Sequence, residues 1–198
     1  VVNEPEAYMK GASKLTQYVL LNSVGIPVPR TISSLSTDNL IQSISAPRKA
    51  IAKRICGSRG RGVEEVREDT TLRVGRGSVM MIQDFVRAGN FDVRVFVVGY
   101  KPIAWMKRVS NGLTTNVSRG GSPEEFNIDD KTSDLVSKAA LTIHAAIAGV
   151  DVAFDENQHP FILEVNTQPD FIGLEKVSRR DLGSSIVDLM VGIAAGAS

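Results

Sequence analysis

The residues best suited to binding a metal ion lie between positions 151 and 166. Asp151 follows an apolar run, and Glu164 and Asn166 lie two apart in a second apolar segment. Residues i and i+2 of a strand point to the same face, and a hairpin turn at residues 155–158 would place Asp151 opposite them. Three oxygen donors would then converge, and oxygen ligands suit Mg2+, which completes its shell with water and phosphate oxygens. The alternative is a hairpin whose solvated face simply carries polar groups.

A glycine-rich stretch at residues 57–62 follows Lys53, which lies on a predicted strand. Glycines let the backbone approach a ligand closely, and exposed amides there can bind phosphate oxygens beside the charge of a lysine. The residue order differs from both the Walker pattern and the dinucleotide fingerprint. A flexible hairpin turn with solvated arginines is the alternative interpretation.

Two arginines have surroundings suited to anion binding. Arg94 lies two residues after Asp92 in an apolar strand, so their side chains share a face, and Arg119 lies in a glycine-rich loop at residues 116–121. A guanidinium that points into a cleft can hold a carboxylate or phosphate through two hydrogen bonds. The alternatives are a cross-strand ion pair on the sheet and an ordinary surface loop.

The elements that must position these residues mix helices and strands. Apolar periodicity predicts helices at residues 10–24, 37–45, 130–148 and 181–195, the first of them with Leu15, Val19 and Leu20 on its apolar side. Strands are expected at residues 49–55, 63–66, 78–83, 91–98, 101–109, 149–154 and 160–165, with a turn at Gly99 and Tyr100, and residues 26–33 are expected to be extended. Residues 111–123 are polar and glycine-rich, and are expected to form a loop. The order of elements indicates an α+β fold with a seam near residues 83–89.

Composition limits the class of protein. The 198 residues suit one large domain or two small ones, and the 42% hydrophobic and 23% charged content is ordinary for a soluble protein. A net charge of +1 gives no field that favours nucleic acid or membrane. Cys56 is the single cysteine, and no apolar run reaches the ~18 residues of a membrane span, so a cytoplasmic protein is expected.

One basic patch raises the alternative of nucleic-acid binding. It comprises Arg48, Lys49, Arg54, Arg59 and Arg61. Acidic residues follow it closely and reduce its field, namely Glu64, Glu65, Glu68 and Asp69. Nucleic acid is therefore not expected among the partners.

Taken together, the ordered motifs resemble those of RimK-type ATP-grasp ligases. The matching segments are Lys53 with the glycine loop, Gln83-Asp84-Phe85-Val86, Asp92-Val93-Arg94, residues 116–121, Asp151 and Leu163-Glu164-Val165-Asn166. The resemblance runs from about residue 3 to about residue 190. It implies an α+β ATP-grasp fold in which two subdomains hold ATP between two antiparallel sheets. The expected division is an N-terminal helix and linker at 1–35, a small subdomain with the glycine loop at 36–86, and a large subdomain with the metal site at 87–198.

The resemblance also implies roles for individual residues. Arg94 and Arg119 would be catalytic residues near the transferred phosphate. The nucleotide would contact Lys14, Lys53, Gly57, Ser58, Gly60, Gly62, Gln83, Asp84, Phe85, Val86, Asp92 and Asn116, with the backbone of residues 83–86 against the adenine edge. Asp151, Glu164 and Asn166 would bind Mg2+, with Glu164 bridging two ions and Mn2+ as an alternative metal. Lys107 and Arg108 match a basic pair on the preceding strand.

The activity implied by the resemblance is carboxylate–amine ligation. In the family, a carboxylate attacks the γ-phosphate of ATP to give an acyl phosphate, and an amine then displaces phosphate. The substrates expected are amino acids, small molecules or peptides, with glutamate as a candidate for the added amino acid. An ATP-binding module without ligase activity is the alternative.

Three departures from the family pattern concern the substrate side. Thr114 stands where many members carry a basic residue, and Asp170 replaces a glycine, both near the expected acceptor pocket. Members usually carry an N-terminal domain before the segment that begins here at Val1. Either the sequence is the excised core of a longer protein or another chain supplies that surface, and a homo-oligomer or a separate N-terminal domain is considered among the partners.

Overall fold

Two antiparallel sheets form the framework of the chain. The computed structural model describes residues 2–34, 49–56, 63–66, 80–86, 88–110, 112 and 122–196. Within these residues, one sheet has the strand order β1-β4-β2-β3 and comprises Thr31–Ser34 (β1), Ala50–Arg54 (β2), Val63–Val66 (β3) and Met80–Asp84 (β4). The other has the order β7-β6-β5-β8-β9 and comprises Phe91–Val98 (β5), Lys101–Val109 (β6), Ser122–Glu124 (β7), Ile147–Phe154 (β8) and Pro160–Asn166 (β9).

Helices cover both faces of the five-stranded sheet. Those in the described residues are Pro5–Ala12 (α1), Lys14–Ser23 (α2), Asp130–Ile143 (α3), Ile172–Ser178 (α4) and Leu182–Ala194 (α5). On one face, Val95 packs in a core with Val136 and Ile143 of α3. On the other face, Phe96 packs with Leu174 of α4 and Leu182 of α5. Among these described helices, none is long and apolar enough to cross a membrane.

The α+β class is confirmed, and so are the strands predicted at residues 49–55, 63–66, 91–98, 101–109, 149–154 and 160–165, to within two residues at their ends. The hairpin of β5 and β6 turns at Gly99 and Tyr100, and both residues have positive φ, 59° and 64°, which suits a tight two-residue turn. The β8–β9 hairpin also forms as expected. Period-two patterns bounded by turn residues identify such strands because they depend on neighbours close in sequence.

The N-terminal helix is interrupted, which corrects the single helix predicted at residues 10–24. Ser13 is extended and separates α1 from α2. Its hydroxyl accepts a hydrogen bond from the Thr16 amide and so caps α2, which an apolar pattern cannot reveal. Val19, predicted on the apolar side, is 55% exposed, because α2 turns Leu21 inward instead.

The helix predicted at residues 130–148 ends earlier. It stops at Ile143, and His144 adopts the left-handed conformation with φ 64°. Ile147, placed in the helix by its spacing, instead begins β8 and pairs with Val98 of β5. A central position in the sheet decides the conformation of this apolar segment, because helix and strand patterns coincide over so short a stretch.

The remaining elements differ from the sequence predictions in two places, agree with them in one, and in one case fall outside the described residues. Ile172–Ser178 is a helix that no sequence pattern predicted, since the segment is short and Leu174 is its one buried residue. Ser122–Glu124, whose first residues were expected in a loop, pairs with β6. The helix predicted at residues 37–45 lies outside the described residues. The terminal helix is confirmed, with Asp181 as its N-cap.

Candidate functional site

A row of charged side chains crosses the five-stranded sheet. Asp151 of β8 lies directly opposite Glu164 of β9, and Arg94 of β5 lies directly opposite Asp151 on its other side. Asn166 pairs with Gly149, two residues along the same face. The prediction that Asp151 lies opposite the Glu164 end of the hairpin is therefore confirmed.

Two arginines hold the carboxylate of Asp151. Arg94 Nε lies 2.7 Å from Asp151 Oδ1, and its Nη2 donates to Oδ2 at 3.2 Å. Arg108 Nη2 lies 2.9 Å from the same Oδ1, while its Nε and Nη2 bond both oxygens of Asp92 at 2.7 and 2.8 Å. Burial alone would lower the pKa of Arg108, but the carboxylates of Asp151 and Asp92 outweigh burial and raise it.

Arg94 reaches Asp151 by passing over Gly149. Its Nη1 donates to the Gly149 carbonyl at 3.2 Å. A Cβ at position 149 would lie 2.3 Å from that Nη1 and 2.9 Å from Pro169 Cβ. The missing side chain therefore makes room for the guanidinium.

Lys14 holds the second carboxylate. Its Nζ lies 2.5 Å from Glu164 Oε1, although the two residues are 150 positions apart. The Lys14 amide donates to the Ile55 carbonyl at the end of β2, so the start of α2 contacts both sheets. Helix α2 thus brings a cation to the metal-binding strand predicted from sequence.

Lys53 faces this row from the four-stranded sheet. Its Nζ donates to Gln83 Oε1 at 2.7 Å, and Gln83 Nε2 donates to Thr31 Oγ1 at 3.0 Å. Burial lowers the pKa of Lys53 to about 8, with the nearby charge of Glu164 opposing and that of Lys14 assisting the shift. A cation that is so costly to bury favours an anionic ligand as its partner.

A cavity lies between α2, β9 and the four-stranded sheet. Its polar lining is Lys14, Gln17, Lys53 and Gln83, and its apolar lining is Tyr18, Leu21, Val28, Met81, Ile162 and Leu163. Three of the residues predicted to contact a nucleotide, Lys14, Lys53 and Gln83, therefore line one space.

The segment 83–86 leads out of β4 at the edge of this cavity. The amides of Asp84 and Phe85 donate to the carbonyls of Arg30 and Lys49, and the Lys49 ammonium lies 4.6 Å from the Phe85 ring centre. Those two amides are therefore engaged within the protein.

Six of the predicted site residues lie outside the described residues. They are Gly57, Ser58, Gly60, Gly62, Asn116 and Arg119. Their roles stay predictions.

The oxygen donors fit Mg2+. Asp151 Oδ1 is buried. Among the described residues, Arg94 and Arg108 lie within ion-pair distance of this atom, but neither donates a hydrogen bond of good geometry to it. In the same part of the chain, no three His, Cys, Asp or Glu side chains gather into a cluster. Two carboxylates and one amide suit an ion that takes few protein ligands and completes its shell with phosphate and water oxygens.

Sequence reasoning missed Gln17 and underrated Arg108. Gln17 is 3% exposed and reaches β9 from α2, while Arg108 joins two carboxylates. The spacing of Lys14 and Gln17 places them on one helix face, a signal that was available. The partners of Arg108 lie on two other strands, and no local pattern identifies them.

The chain matches the family of RimK-like ATP-grasp domains over residues 11–190. A probable alpha-L-glutamate ligase of Hahella chejuensis is 31% identical over 203 residues, which cover 96% of this chain and 66% of the relative. The tetrahydromethanopterin:alpha-L-glutamate ligase of Methanocaldococcus jannaschii is 29% identical over 204 residues, which cover 96% and 70%. The chain thus spans about two thirds of the length of these relatives.

Solved structures confirm the fold. The ATP-grasp ligase PsnB, complexed with a phosphomimetic variant of a minimal precursor, Mg and ADP, superposes with a TM-score of 0.77 at 22% identity. That match covers 97% of this chain and 62% of PsnB. The D-alanine-D-alanine ligase of Coxiella burnetii superposes with a TM-score of 0.67 at 13% identity, covering 94% and 57%.

Proposed function

Because this chain belongs to the RimK-like ATP-grasp family, we propose that it is an ATP- and Mg2+-dependent carboxylate–amine ligase. The observation that carries the proposal is the row Arg94–Asp151–Glu164, with Lys14 on Glu164 and Lys53 facing it across the cavity. Cations that hold carboxylates at one edge of a cavity suit a site in which metal and phosphate meet.

The proposed reaction has two displacements. A carboxylate oxygen attacks the γ-phosphorus of ATP, the bond to the β-phosphate oxygen breaks, and ADP leaves. An amine nitrogen then attacks the acyl carbon, and the bond from that carbon to phosphate breaks with its electron pair on phosphate. The proton of the amine passes to phosphate or water, so the products are an amide, ADP and phosphate.

The protein contributes fixed charge and position. Lys14 and Lys53 would bind phosphate oxygens, and Arg94 and Arg119 would stabilise charge that develops on the transferred phosphoryl group and the acyl phosphate. Asp151, Glu164 and Asn166 would hold Mg2+ in one or two positions, and the ion would neutralise phosphate charge when bound. The backbone of residues 83–86 would meet the adenine edge.

We assign the three segments of the chain as follows. Residues 1–35, which contain helices α1 and α2, and residues 36–86 would together form the small unit. Residues 87–198 would form the large unit. Strand β1 lies within the first segment but pairs with β4, so we place it with the small unit. The cavity then lies where the N-terminal helices and both units meet.

L-Glutamate is the amino acid proposed for addition, because two relatives are named as alpha-L-glutamate ligases. The test combines the chain with ATP, Mg2+, L-glutamate and a panel of carboxylate acceptors, including peptides that end in glutamate. The expected result is ADP release in equal amounts with a mass gain of one glutamyl residue. D-Glutamate and omission of the acceptor are the controls. ATP binding without product across all amino acids would instead favour a binding module.

A further inference from the structure

Gln17 connects α2 to the strand that carries two predicted metal ligands. Its Oε1 accepts a hydrogen bond from the Val165 amide at 2.7 Å, in a buried position. Its Nε2 donates to the Gly11 carbonyl at 2.8 Å, near the end of α1. Both ends of this 3%-exposed side chain are therefore engaged.

The contact falls at the edge of a sheet. β9 is the last strand in the order β7-β6-β5-β8-β9, so its outer backbone groups have no neighbouring strand within that sheet. Val165 lies between Glu164 and Asn166, and its amide belongs to the peptide plane that joins it to Glu164. Fixing that amide restrains the backbone at Glu164 directly and the backbone at Asn166 through Val165. An edge strand otherwise has freedom to twist, which would change where the two ligands point.

Two further contacts from the N-terminal segment lie beside the end of this strand, on Thr167, which follows β9, and on Ile147, which begins the neighbouring β8. Asn3 Nδ2 donates to the carbonyls of Ile147 and Thr167 at 2.7 and 3.0 Å, and its Oδ1 accepts from the Ile147 amide. Gly11 packs so closely on Thr167 that a Cβ there would lie 2.7 Å from Thr167 Cγ2. The N-terminal segment thus contacts the chain at Thr167, just beyond Asn166, whereas Gln17 bonds the backbone between Glu164 and Asn166.

We propose that Gln17 is a positioning residue for the metal-binding strand. Through the Val165 amide, it holds Glu164 and Asn166 in the orientation in which they bind Mg2+ together with a nucleotide. The inference rests on the proposed function, since it takes these two residues as ligands. Partners of this kind, which orient a ligand without touching the metal, are typically worth 10–100-fold in metal affinity.

The experiment measures ADP affinity by calorimetry, in EDTA and in saturating Mg2+, for the wild type and for Gln17→Met and Gln17→Asn. The first variant keeps the length of the side chain and removes the acceptor, while the second keeps the amide but shortens its reach. Thr132→Val is the matched control, because Thr132 is a buried polar residue at 2% exposure in α3. Thermal unfolding verifies that each variant is folded.

For both Gln17 variants, the strengthening of ADP binding by Mg2+, measured as the ratio of the affinities in Mg2+ and in EDTA, should fall about tenfold. Thr132→Val should keep the full effect of Mg2+. Full Mg2+ strengthening in folded Gln17 variants would overturn the proposal, as would an equal loss of affinity in EDTA, which would make Gln17 part of the nucleotide pocket. If the wild type binds ADP with the same affinity in EDTA and in Mg2+, the proposed function is overturned as well.

Discussion

Glu164 is the residue at which cation, metal and nucleotide are expected to meet. Glu164→Gln keeps the shape of the side chain and removes its charge, so Mg2+ loses a carboxylate ligand and Lys14 loses its partner at 2.5 Å. ATP turnover should fall by more than about a hundredfold. Glu156→Gln, in the exposed turn between β8 and β9, is the matched control and should be normal. Normal ADP release by Glu164→Gln would remove Glu164 from the metal site.

Lys53 is predicted to make nucleotide binding depend on pH. Burial lowers its pKa to about 8 in the free protein, and a phosphate beside it would raise that pKa. Above pH 8, ATP binding should therefore take up a proton, and affinity should fall as pH rises. Calorimetry at pH 9 in buffers of different ionisation enthalpy measures this uptake. Lys53→Arg stays charged and should abolish the uptake; an unchanged uptake would assign the proton to another group.

Arg119 is predicted to act on the reacting groups more than on the bound nucleotide. Losing one fixed donor to developing charge typically costs about a hundredfold in rate. Arg119→Ala should slow turnover by about that factor and leave the ATP affinity unchanged. Kinetics at saturating ATP and a separate binding titration distinguish the two quantities. Weakened ATP binding with normal turnover at saturation would place Arg119 on the nucleotide.

At the scale of elements, β8 requires a glycine at position 149, where the side chain of Arg94 crosses the strand. In Gly149→Ala, the added methyl would meet Arg94 Nη1 at 2.3 Å and Pro169 Cβ at 2.9 Å. Overpacking of this kind costs about 1–3 kcal/mol of unfolding free energy, and displacement of Arg94 from Asp151 should lower turnover as well. Denaturant unfolding and ADP release measure the two effects.

Gly173→Ala is the matched control for that substitution. Nothing lies within 4 Å of a Cβ at Gly173, which belongs to α4. Alanine should change the unfolding free energy by less than about 1 kcal/mol, in the stabilising direction, since it forms helix better than glycine. If both substitutions behave alike, the crowding at Gly149 has no role in placing Arg94.

At the scale of the whole molecule, the cavity is formed by elements from both sheets. The Ile162 amide bonds the Pro27 carbonyl, and the Lys14 ammonium pairs with Glu164, so residues 1–35 are connected to residues 87–198. A ligand that binds only the folded state adds RT ln(1 + [L]/Kd) to its stability. MgATP at a hundred times its Kd should add about 2.7 kcal/mol, measured by denaturant unfolding. Glu164→Gln should lose most of this gain at the same concentration, and an equal gain would contradict a metal-dependent site.

Much of the fold follows from local patterns in the sequence. The β5–β6 hairpin, the turn at Gly99 and Tyr100 and the β8–β9 pair were predictable because period-two alternation and turn residues depend on near neighbours. Local reasoning failed where one short stretch suits two conformations. Ile147 follows helical spacing and yet pairs in the sheet, and Ser13 ends a helix that the apolar pattern would continue.

The sequence by itself determined which residue types belong to the site and their order along the chain, and that order identified the family. The pairing of their charges was decided only by the tertiary structure. Asp92 and Arg94 lie two residues apart in sequence and look like an ion pair. In the strand order β6-β5-β8-β9, however, Asp92 pairs with Arg108 and Arg94 pairs with Asp151. Neighbouring strands place distant residues side by side, whereas residues i and i+2 lie about 7 Å apart along one strand. Electrostatic partners are therefore set by sheet order, which local sequence does not contain.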